Sequence, residues 1–309
     1  MLRVVRFECE SDGDLSRIWG KKDANAPERT YANSFSYTPD GKIERLKLGN
    51  NRWEWAKFNE RAQLTQIGIG VGVTDDGVWK LEYKYGELES GSVNANKNTG
   101  NIAQMVVTVS GIANPIFQNY QYDSLYRLTD ADEKDGLGSN AAQNWIQQFQ
   151  YDRFGNRIAL AQTVQRSFGA VQTNTTPAID PATNRFVASN QNFRYDKNGN
   201  LTTDGDNRTV VFNGENKQAE IKNASGQTIG QYYFDGEGKR VKKITWDANG
   251  HSETTIFVYS AGKLVAEYSD TQVPVANPTT RYLTEDHLGT PRVVTDSQGN
   301  VISRRDFLP

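Results

Sequence analysis

Phe149-Gln150-Tyr151-Asp152, running into Gly155-Asn156-Arg157, is one copy of a short unit that keeps returning along this chain. An aromatic-x-aromatic step leads into a tight polar turn, then a basic or polar residue, then an apolar strand. Phe35-Ser36-Tyr37 precedes Pro39-Asp40-Gly41-Lys42, and Tyr120-Gln121-Tyr122 precedes Asp123-Ser124. Phe193-Arg194-Tyr195-Asp196 precedes Asn198-Gly199-Asn200-Leu201. Looser copies are Val210-Val211-Phe212-Asn213-Gly214, Tyr232-Tyr233-Phe234-Asp235 with Gly236 and Gly238, and Phe257-Val258-Tyr259 with Gly262-Lys263-Leu264. Tyr83-Lys84-Tyr85-Gly86 is an early cousin. Self-similarity at a period of roughly 20 to 45 residues is the mark of a repeat array and moves the functional expectation from catalysis toward scaffolding.

Side chains alternate across a strand, so the two aromatics of each step share one face. Ser36, Gln121, Gln150 and Arg194 stand between them, giving the period-two pattern of a half-buried strand. The Asp or Asn that follows bonds turn amides, and Gly or Asn supplies positive φ. Asn198-Gly199, Asn213-Gly214 and Asn249-Gly250 read as two-residue hairpin loops. Each unit is therefore a β-hairpin with one aromatic and one polar face. A lone hairpin is marginal in water, and stacking lets the rings of one unit cover those of the next. Burying each Tyr or Phe contributes roughly 1.5 to 3 kcal/mol. The expected fold is all-β: stacked antiparallel hairpins in a long sheet that twists and curls.

Composition agrees. A mean hydropathy of -0.70 with 36% hydrophobic residues suits a thin, wetted sheet rather than a compact ball. Net charge is -2, and no basic stripe with interleaved aromatics supports nucleic-acid binding. Cys9 stands alone, which excludes an internal disulfide framework and a Cys-rich metal site. No apolar run approaches the roughly 20 residues of a membrane-spanning helix. Met1 to Glu8 contain no signal-peptide core, and Arg305-Asp306-Phe307-Leu308-Pro309 stop without a turn or cap. Both ends look cut, so the expectation is a fragment of a longer protein or a truncated gene.

Trp53-Glu54-Trp55 and Ile102 to Val109 read as strands, and Ile67-Gly68-Ile69-Gly70-Val71-Gly72-Val73 as a strand packed closely on one face. Gly91 to Gly100 is an Asn-rich loop, residues 163 to 190 a polar excursion with Pro177 and Pro181, and residues 270 to 280 a Pro/Thr/Asn connection. Asn140 to Gln150 is the best candidate for a short helix. The array divides into degenerate repeats over 1–115, clear units over 116–270 and a distinct closing segment over 271–309.

Tyr122-Asp123, Tyr151-Asp152 and Tyr195-Asp196, each followed by a turn, resemble the YD repeat of the Rhs family. Tyr282-Leu283-Thr284-Glu285-Asp286-His287-Leu288-Gly289-Thr290-Pro291-Arg292 is similar to the signature that opens the Rhs repeat-associated core domain. Val294-Thr295-Asp296-Ser297-Gln298-Gly299-Asn300-Val301 followed by Arg305-Asp306-Phe307-Leu308-Pro309 also resembles that core. The resemblance covers roughly Phe35 to Pro309. It implies a hollow β-shell of the kind found in bacterial polymorphic toxins, toxin-complex subunits and teneurins. In the polymorphic toxins the shell encloses a C-terminal toxin or effector, and in many members an aspartyl autoprotease-like site in the core releases it. It further implies a secreted or cell-surface protein that meets a secretion apparatus or an immunity protein. This chain stops inside the core, so neither cleavage motif nor toxin maps onto any residue here.

No residue is expected to be catalytic, to bind a cofactor or to ligate a metal. His287 lies in the signature string without a Ser or Cys nucleophile beside it, and His251 lies in a separate turn-rich region, so His287 reads as a structural histidine at a turn. Glu285 and Asp286 are strand neighbours pointing to opposite faces, a poor geometry for shared acid–base work. Asp196-Lys197-Asn198-Gly199-Asn200 lacks calcium-loop spacing and reads as a β-turn, as do Asp204-Gly205-Asp206-Asn207 and Asp75-Asp76-Gly77. Trp53, Trp55, Trp79, Trp145 and Trp246 offer a carbohydrate platform, but regular placement favours packing between units. Three sequons, at Asn200, Asn207 and Asn223, are chance matches in an Asn/Thr-rich chain. The competing functions are a surface module for glycans or proteins and a toxin enzyme or autoprotease. The first calls for exposed aromatics in a groove, the second for clustered His and acidic residues.

Overall fold

A computed structural model describes residues 4–21, 25–137, 141–164, 178–187, 192–260, 263–269 and 280–306. The opening tripeptide, most of the 163–190 excursion including Pro177, Gly262, all but the last residue of the 270–280 connection and the final Phe307-Leu308-Pro309 lie outside them. The chain forms two compact units, residues 1–174 with 279–309 and residues 175–278.

In the first unit, β1 (Val4–Cys9), β2 (Leu15–Lys21), β3 (Arg29–Tyr37), β4 (Ile43–Leu48), β5 (Trp53–Phe58), β6 (Leu64–Gly70) and β7 (Trp79–Tyr85) follow one another across an antiparallel sheet. A side hairpin of β8 (Glu87–Glu89) and β9 (Ser92–Asn94), then a 3-10 turn at Ala95–Lys97, interrupts the order. The sheet continues through β10 (Ile102–Val109), β11 (Ile116–Tyr122), β12 (Leu128–Asp135), β13 (Ala142–Tyr151) and β14 (Arg157–Val164), twelve strands in all. The second unit holds a small hairpin, β15 (Ala178–Asp180) with β16 (Arg185–Val187). It also holds an eight-stranded sheet: β17 (Arg194–Tyr195), β18 (Leu201–Thr203), β19 (Thr209–Phe212), β20 (Gln218–Lys222), β21 (Thr228–Phe234), β22 (Arg240–Trp246), β23 (Ser252–Ser260) and β24 (Lys263–Ser269). The chain returns to the first unit with a three-stranded sheet, β25 (Tyr282–Glu285), β26 (Pro291–Thr295) and β27 (Val301–Arg304). The fold is all-β, with no α-helix among the described residues.

One turn chemistry makes most of these hairpins. At Asp152 the backbone N–H donates to the Asn156 carbonyl (3.0 Å), and the Gly155 N–H donates back to the Asp152 carbonyl (3.2 Å). The Asp152 Oδ1 accepts the N–H groups of Phe154 (2.8 Å) and Asn156 (2.9 Å), while the Asn156 amide donates to Oδ2 (2.8 Å). Gly155 sits at φ 86°, and the register slips by one between Gln150 and Tyr151. This is a three-residue loop, a turn followed by a left-handed residue that forms a bulge. The same bonds close Asp123–Arg127, Asp196–Asn200, Asp204–Arg208, Asn213–Lys217, Asn223–Gln227, Asp235–Lys239, Asp247–His251, Asp286–Thr290 and Asp296–Asn300. At several loops the polar residue that follows completes the cap with its side chain, as when Arg127 Nε and Arg208 Nε each donate to their Asp at 2.7 Å.

The two-residue loops expected at three Asn-Gly pairs are thereby corrected. Only Gly199 and Gly250 of those pairs have positive φ, and at Asn213-Gly214 the left-handed residue is Asn216. A carboxylate or amide that accepts two amides upstream favours the wider loop over the two-residue one.

The tyrosine that closes the aromatic step has its own task in four units of the first sheet. Tyr151 Oη donates to the Leu128 carbonyl (2.7 Å), Tyr122 to Ile102 (3.0 Å), Tyr85 to Leu64 (2.9 Å) and Tyr37 to Leu15 (2.7 Å). Each acceptor is the first strand residue after the preceding turn. The hydroxyl thus sews one hairpin to the next, a bond that the looser copies ending in Phe212 and Phe234 lack.

The helix expected over 140–150 is instead strand β13, with Asn140 itself outside the described residues. Trp145, Gln147 and Phe149 are buried while Ile146, Gln148 and Gln150 are exposed, a period of two that decides the matter. The strand expected over Ile67–Val73 stops at Gly70. There the Asp75 carboxylate takes the N–H groups of Val71 (2.7 Å) and Gly77 (3.0 Å), and its carbonyl takes the Trp55 indole N–H (2.9 Å). Gly68 is where the close packing falls, since a Cβ there would overlap the Trp55 indole.

Candidate functional site

The inward face of the first sheet carries Ile67, Ile69, Trp79, Leu81, Tyr83, Val107 and Ile116, a cluster completed by Val293 of the three-stranded sheet. The stretch that resembles the core signature therefore lies on the wall formed by the early strands. Polar bonds fix it there. Asn50, 4% exposed, donates from Nδ2 to Thr295 Oγ1 (2.9 Å) and to the Asp296 carbonyl (2.9 Å). Arg52 Nε donates to the Gly299 carbonyl (2.8 Å), and Arg29 bonds Thr280. A Cβ on Gly49 would overlap the Thr30 carbonyl and crowd the Tyr282 hydroxyl, so Gly there permits the close approach.

The turn of the signature string meets Tyr83. The His287 backbone N–H donates to Tyr83 Oη (3.1 Å), and the two rings pack edge to face with centroids 4.8 Å apart. His287 itself remains exposed to solvent. Partial burial, with Arg292 nearby, pulls its imidazole below the ordinary histidine range, while Asp286 opposes the shift. Burial pushes the Tyr83 phenol well up, so it stays protonated as a donor and acceptor. Asp286 spends Oδ1 on the N–H groups of Leu288 (2.9 Å) and Thr290 (3.0 Å), the ordinary cap of this chain. Its Oδ2 lies 3.9 Å from Arg292, a buried guanidinium that is also 3.9 Å from Asp306; Arg304 shares Asp306 at 2.6 Å.

Beside this lies a row of buried polar groups on the same face. Gln118 Nε2 donates to Glu133 Oε2 (2.7 Å), Asn144 Nδ2 to Glu133 Oε1 (3.0 Å) and Asp135 Oδ1 (2.9 Å), and Tyr120 Oη to Gln118 Oε1 (2.9 Å). Both Glu133 oxygens thus accept amides, as a buried carboxylate requires. Tyr120 titrates far above its ordinary value because it is buried. The arrangement is one of donors and acceptors spent on one another, a geometry for holding the hairpin in register rather than for moving protons.

The sequence reading singled out His287, Glu285 and Asp286, and they lie together at this turn. His251 does not join them; it caps its own turn, with Nδ1 3.1 Å from Asp247 Oδ2. Asp196, Asp204 and Asp75 are caps. Trp55, Trp79 and Trp145 are 5%, 1% and 3% exposed, so these indoles form no platform for sugars. The sequence reading missed Asn50, Arg52, Arg292 and the row at Gln118, Glu133 and Asn144. A signal for the row existed, because Gln118 alternates with Ile116 and Tyr120 along one strand face. Among the described residues no group of three or more His, Cys, Asp or Glu side chains is placed to hold a metal ion.

No protein-family profile matches the chain, and no curated protein does. Solved structures do. It is similar to the crystal structure of TcdB2-TccC3-Cdc42, with a TM-score of 0.73 and 18% identity over 99% of this chain and 17% of that one. The TcdB2-TccC3 crystal structure gives 0.73 and 19% over the same shares. A Photorhabdus luminescens Tc holotoxin pore carrying a TccC3 mutation gives 0.72 and 18%, over 99% and 16%. The chain thus shares their fold and spans about a sixth of their length.

Proposed function

We propose that this chain is a non-catalytic wall segment of an Rhs/YD-repeat shell, part of a polymorphic toxin that encloses and presents a C-terminal toxin or effector. The observation that carries this reading is the sewn array: hairpins joined by one turn chemistry and by tyrosine hydroxyls into a twelve-stranded sheet. A sheet built this way grows by adding units and presents a broad surface without a catalytic cleft. The docked strands Tyr282–Glu285, Pro291–Thr295 and Val301–Arg304 support the assignment of 271–309 as the opening of a core domain, after degenerate repeats over 1–115 and the main array over 116–270. The fold shared with toxin-complex structures supports the same context.

In this reading the cargo belongs to the same polypeptide. A secretion apparatus and an immunity protein are the outside partners, and the place of action is secreted or at the cell surface. The test is to express the full-length gene and image the product by electron microscopy. A closed shell holding a polypeptide is expected, and an open ribbon or separate globules without enclosed density would overturn the reading. The purified 309-residue chain should also stay intact on prolonged incubation, since cleavage would favour an autoprotease.

A further inference from the structure

The β1/β2, β11/β12 and β13/β14 turns lie on one rim of the twelve-stranded sheet, because the strands alternate in direction. At the β11–β14 end, the tips carry Leu125, Tyr126 and Phe154, 69%, 62% and 55% exposed. Arg127 ties the two tips together by donating from Nη1 to the Asp152 carbonyl (3.0 Å). Arg153 lies 4.5 Å over the Phe154 ring and makes no ion pair among the described residues. Tyr126 occupies the left-handed position, φ 61°, where most sister turns place Gly or Asn. A bulky ring there costs stability, and at 62% exposure it gains little packing from the described residues.

At the β1–β3 end, the same rim carries a cleft of about 330 Å³. Glu10, Asp12 and Asp14 line it together with Leu15, Phe35, Tyr37 and two serines, Ser16 and Ser34. The Phe35 and Tyr37 rings stack with centroids 6.3 Å apart. None of the three carboxylates forms an ion pair with a described residue. A cation outside any ion pair among the described residues, set among apolar tips, and three such carboxylates beside a stacked aromatic pair are complementary in charge, and each patch couples its charge to apolar surface.

We propose that the Leu125/Tyr126/Phe154/Arg153 knob of one copy docks in the Glu10/Asp12/Asp14 cleft of a second copy. Knob and cleft share a rim, so a two-fold axis sets each knob against the other's cleft, and the contact closes as a pair rather than running on as a filament. The proposal is independent of the shell reading.

Sedimentation velocity of the full 309-residue chain across protein concentration tests it. A dimer is expected that weakens as salt is raised. Arg153→Glu is expected to weaken it by at least about tenfold. Asp12→Lys with Asp14→Lys should do the same, and all three substitutions together should restore it. Tyr126→Gly should raise the melting temperature, by relieving the left-handed tyrosine, while weakening association, which separates loss of contact from loss of fold. A chain that stays monomeric at every concentration, or a charge swap that restores nothing, would sink the proposal. So would a monomer whose tips instead bind vesicles of anionic phospholipid and lose that binding in Tyr126→Gly.

Discussion

In the first unit, Ile69, Trp79 and Leu81 are at most 1% exposed, and Val293 packs against them from the docked three-stranded sheet. In the second unit, among the residues whose burial is described, Gly230, Thr255 and Phe257 are the buried ones. Its rings are covered instead by a cation: Arg240 lies 5.5 Å from the Tyr232 ring and 5.1 Å from that of Phe257. Both sheets use the same capped turn, yet among the described residues only the first unit forms clusters of buried apolar side chains. Turn chemistry is enough to make hairpins and pair them in order. A core needs a second layer, and in this chain that layer comes from Val293 and its sheet, 177 to 226 positions along the chain from the residues of the cluster it completes.

The sharpest way to break this contrast is to empty each face in turn. Leu81→Ala is expected to destabilise the first unit by about 2 to 5 kcal/mol, the cost of a cavity in a packed core. Ile221→Ala, at a half-buried position of β20, should cost about 1 kcal/mol. Hydrogen exchange read by mass spectrometry assigns each loss to its unit. If the two substitutions cost the same, the face of the second sheet is covered in solution and the comparison fails.

Backbone closeness gives the next largest effect. Gly68→Ala drives a methyl into the Trp55 indole and should cost about 1 to 3 kcal/mol by overpacking. Gly214→Ala meets nothing within 4 Å and has ordinary φ, so it should be neutral or stabilise by up to about 1 kcal/mol. Urea unfolding midpoints check both. A harmless Gly68→Ala would mean that β5 and β6 are looser than the hydrogen-bonded register implies.

Tyr151→Phe keeps the ring and removes only the bond to Leu128, so about 0.5 to 1.5 kcal/mol should be lost from the first unit. Tyr259→Phe removes a longer bond, 3.2 Å to the Arg240 carbonyl, from a more exposed site in the second. The smaller loss is expected there. Equal losses would show that the tyrosine stitch carries the same weight with or without a core beside it.

These pairs also mark what the sequence revealed. Phe149-Gln150-Tyr151 announces its strand and its inward face because period two is a local property. Asp152 announces a turn for the same reason. The loop length was misread at Asn213-Gly214 because the decisive bonds run from Asn213 forward to Glu215 and Lys217, not through the Asn-Gly pair itself. The stretch 140–150 passed for a helix because its glutamines blur the alternation that Trp145, Gln147 and Phe149 make plain once burial is known. The docking of Thr295 on Asn50 had no local mark at all, since it joins residues 245 apart through shape and two side-chain bonds.

The smallest expected effect is a pH dependence that separates the units. Asp152 and Asp296 in the first unit, and Asp196 and Asp247 in the second, are all held below the ordinary carboxylate range by hydrogen bonds. For Asp152 and Asp196 the main cause is the side-chain amide of the residue after the loop, and for Asp296 and Asp247 that residue's backbone N–H. A depressed carboxylate contributes stability that is complete above its unfolded value, about 3.9, and fades as the pH falls toward the folded one. Both units should weaken together in that range. His287 is also depressed, by partial burial, so its contribution is complete above about 6.5 and fades earlier, as the pH falls from there. That fading should be confined to residues 282–304 and their wall, and it should be slight because His287 is exposed to solvent. An NMR titration of the His287 imidazole is expected to give a midpoint below the ordinary value, and His287→Leu should flatten the melting temperature between about pH 6.5 and 5. A midpoint at or above the ordinary value would mean that the ring is not held against Tyr83, leaving the layer fixed by Val293 packing and by the bonds of Asn50, Arg52 and Arg29.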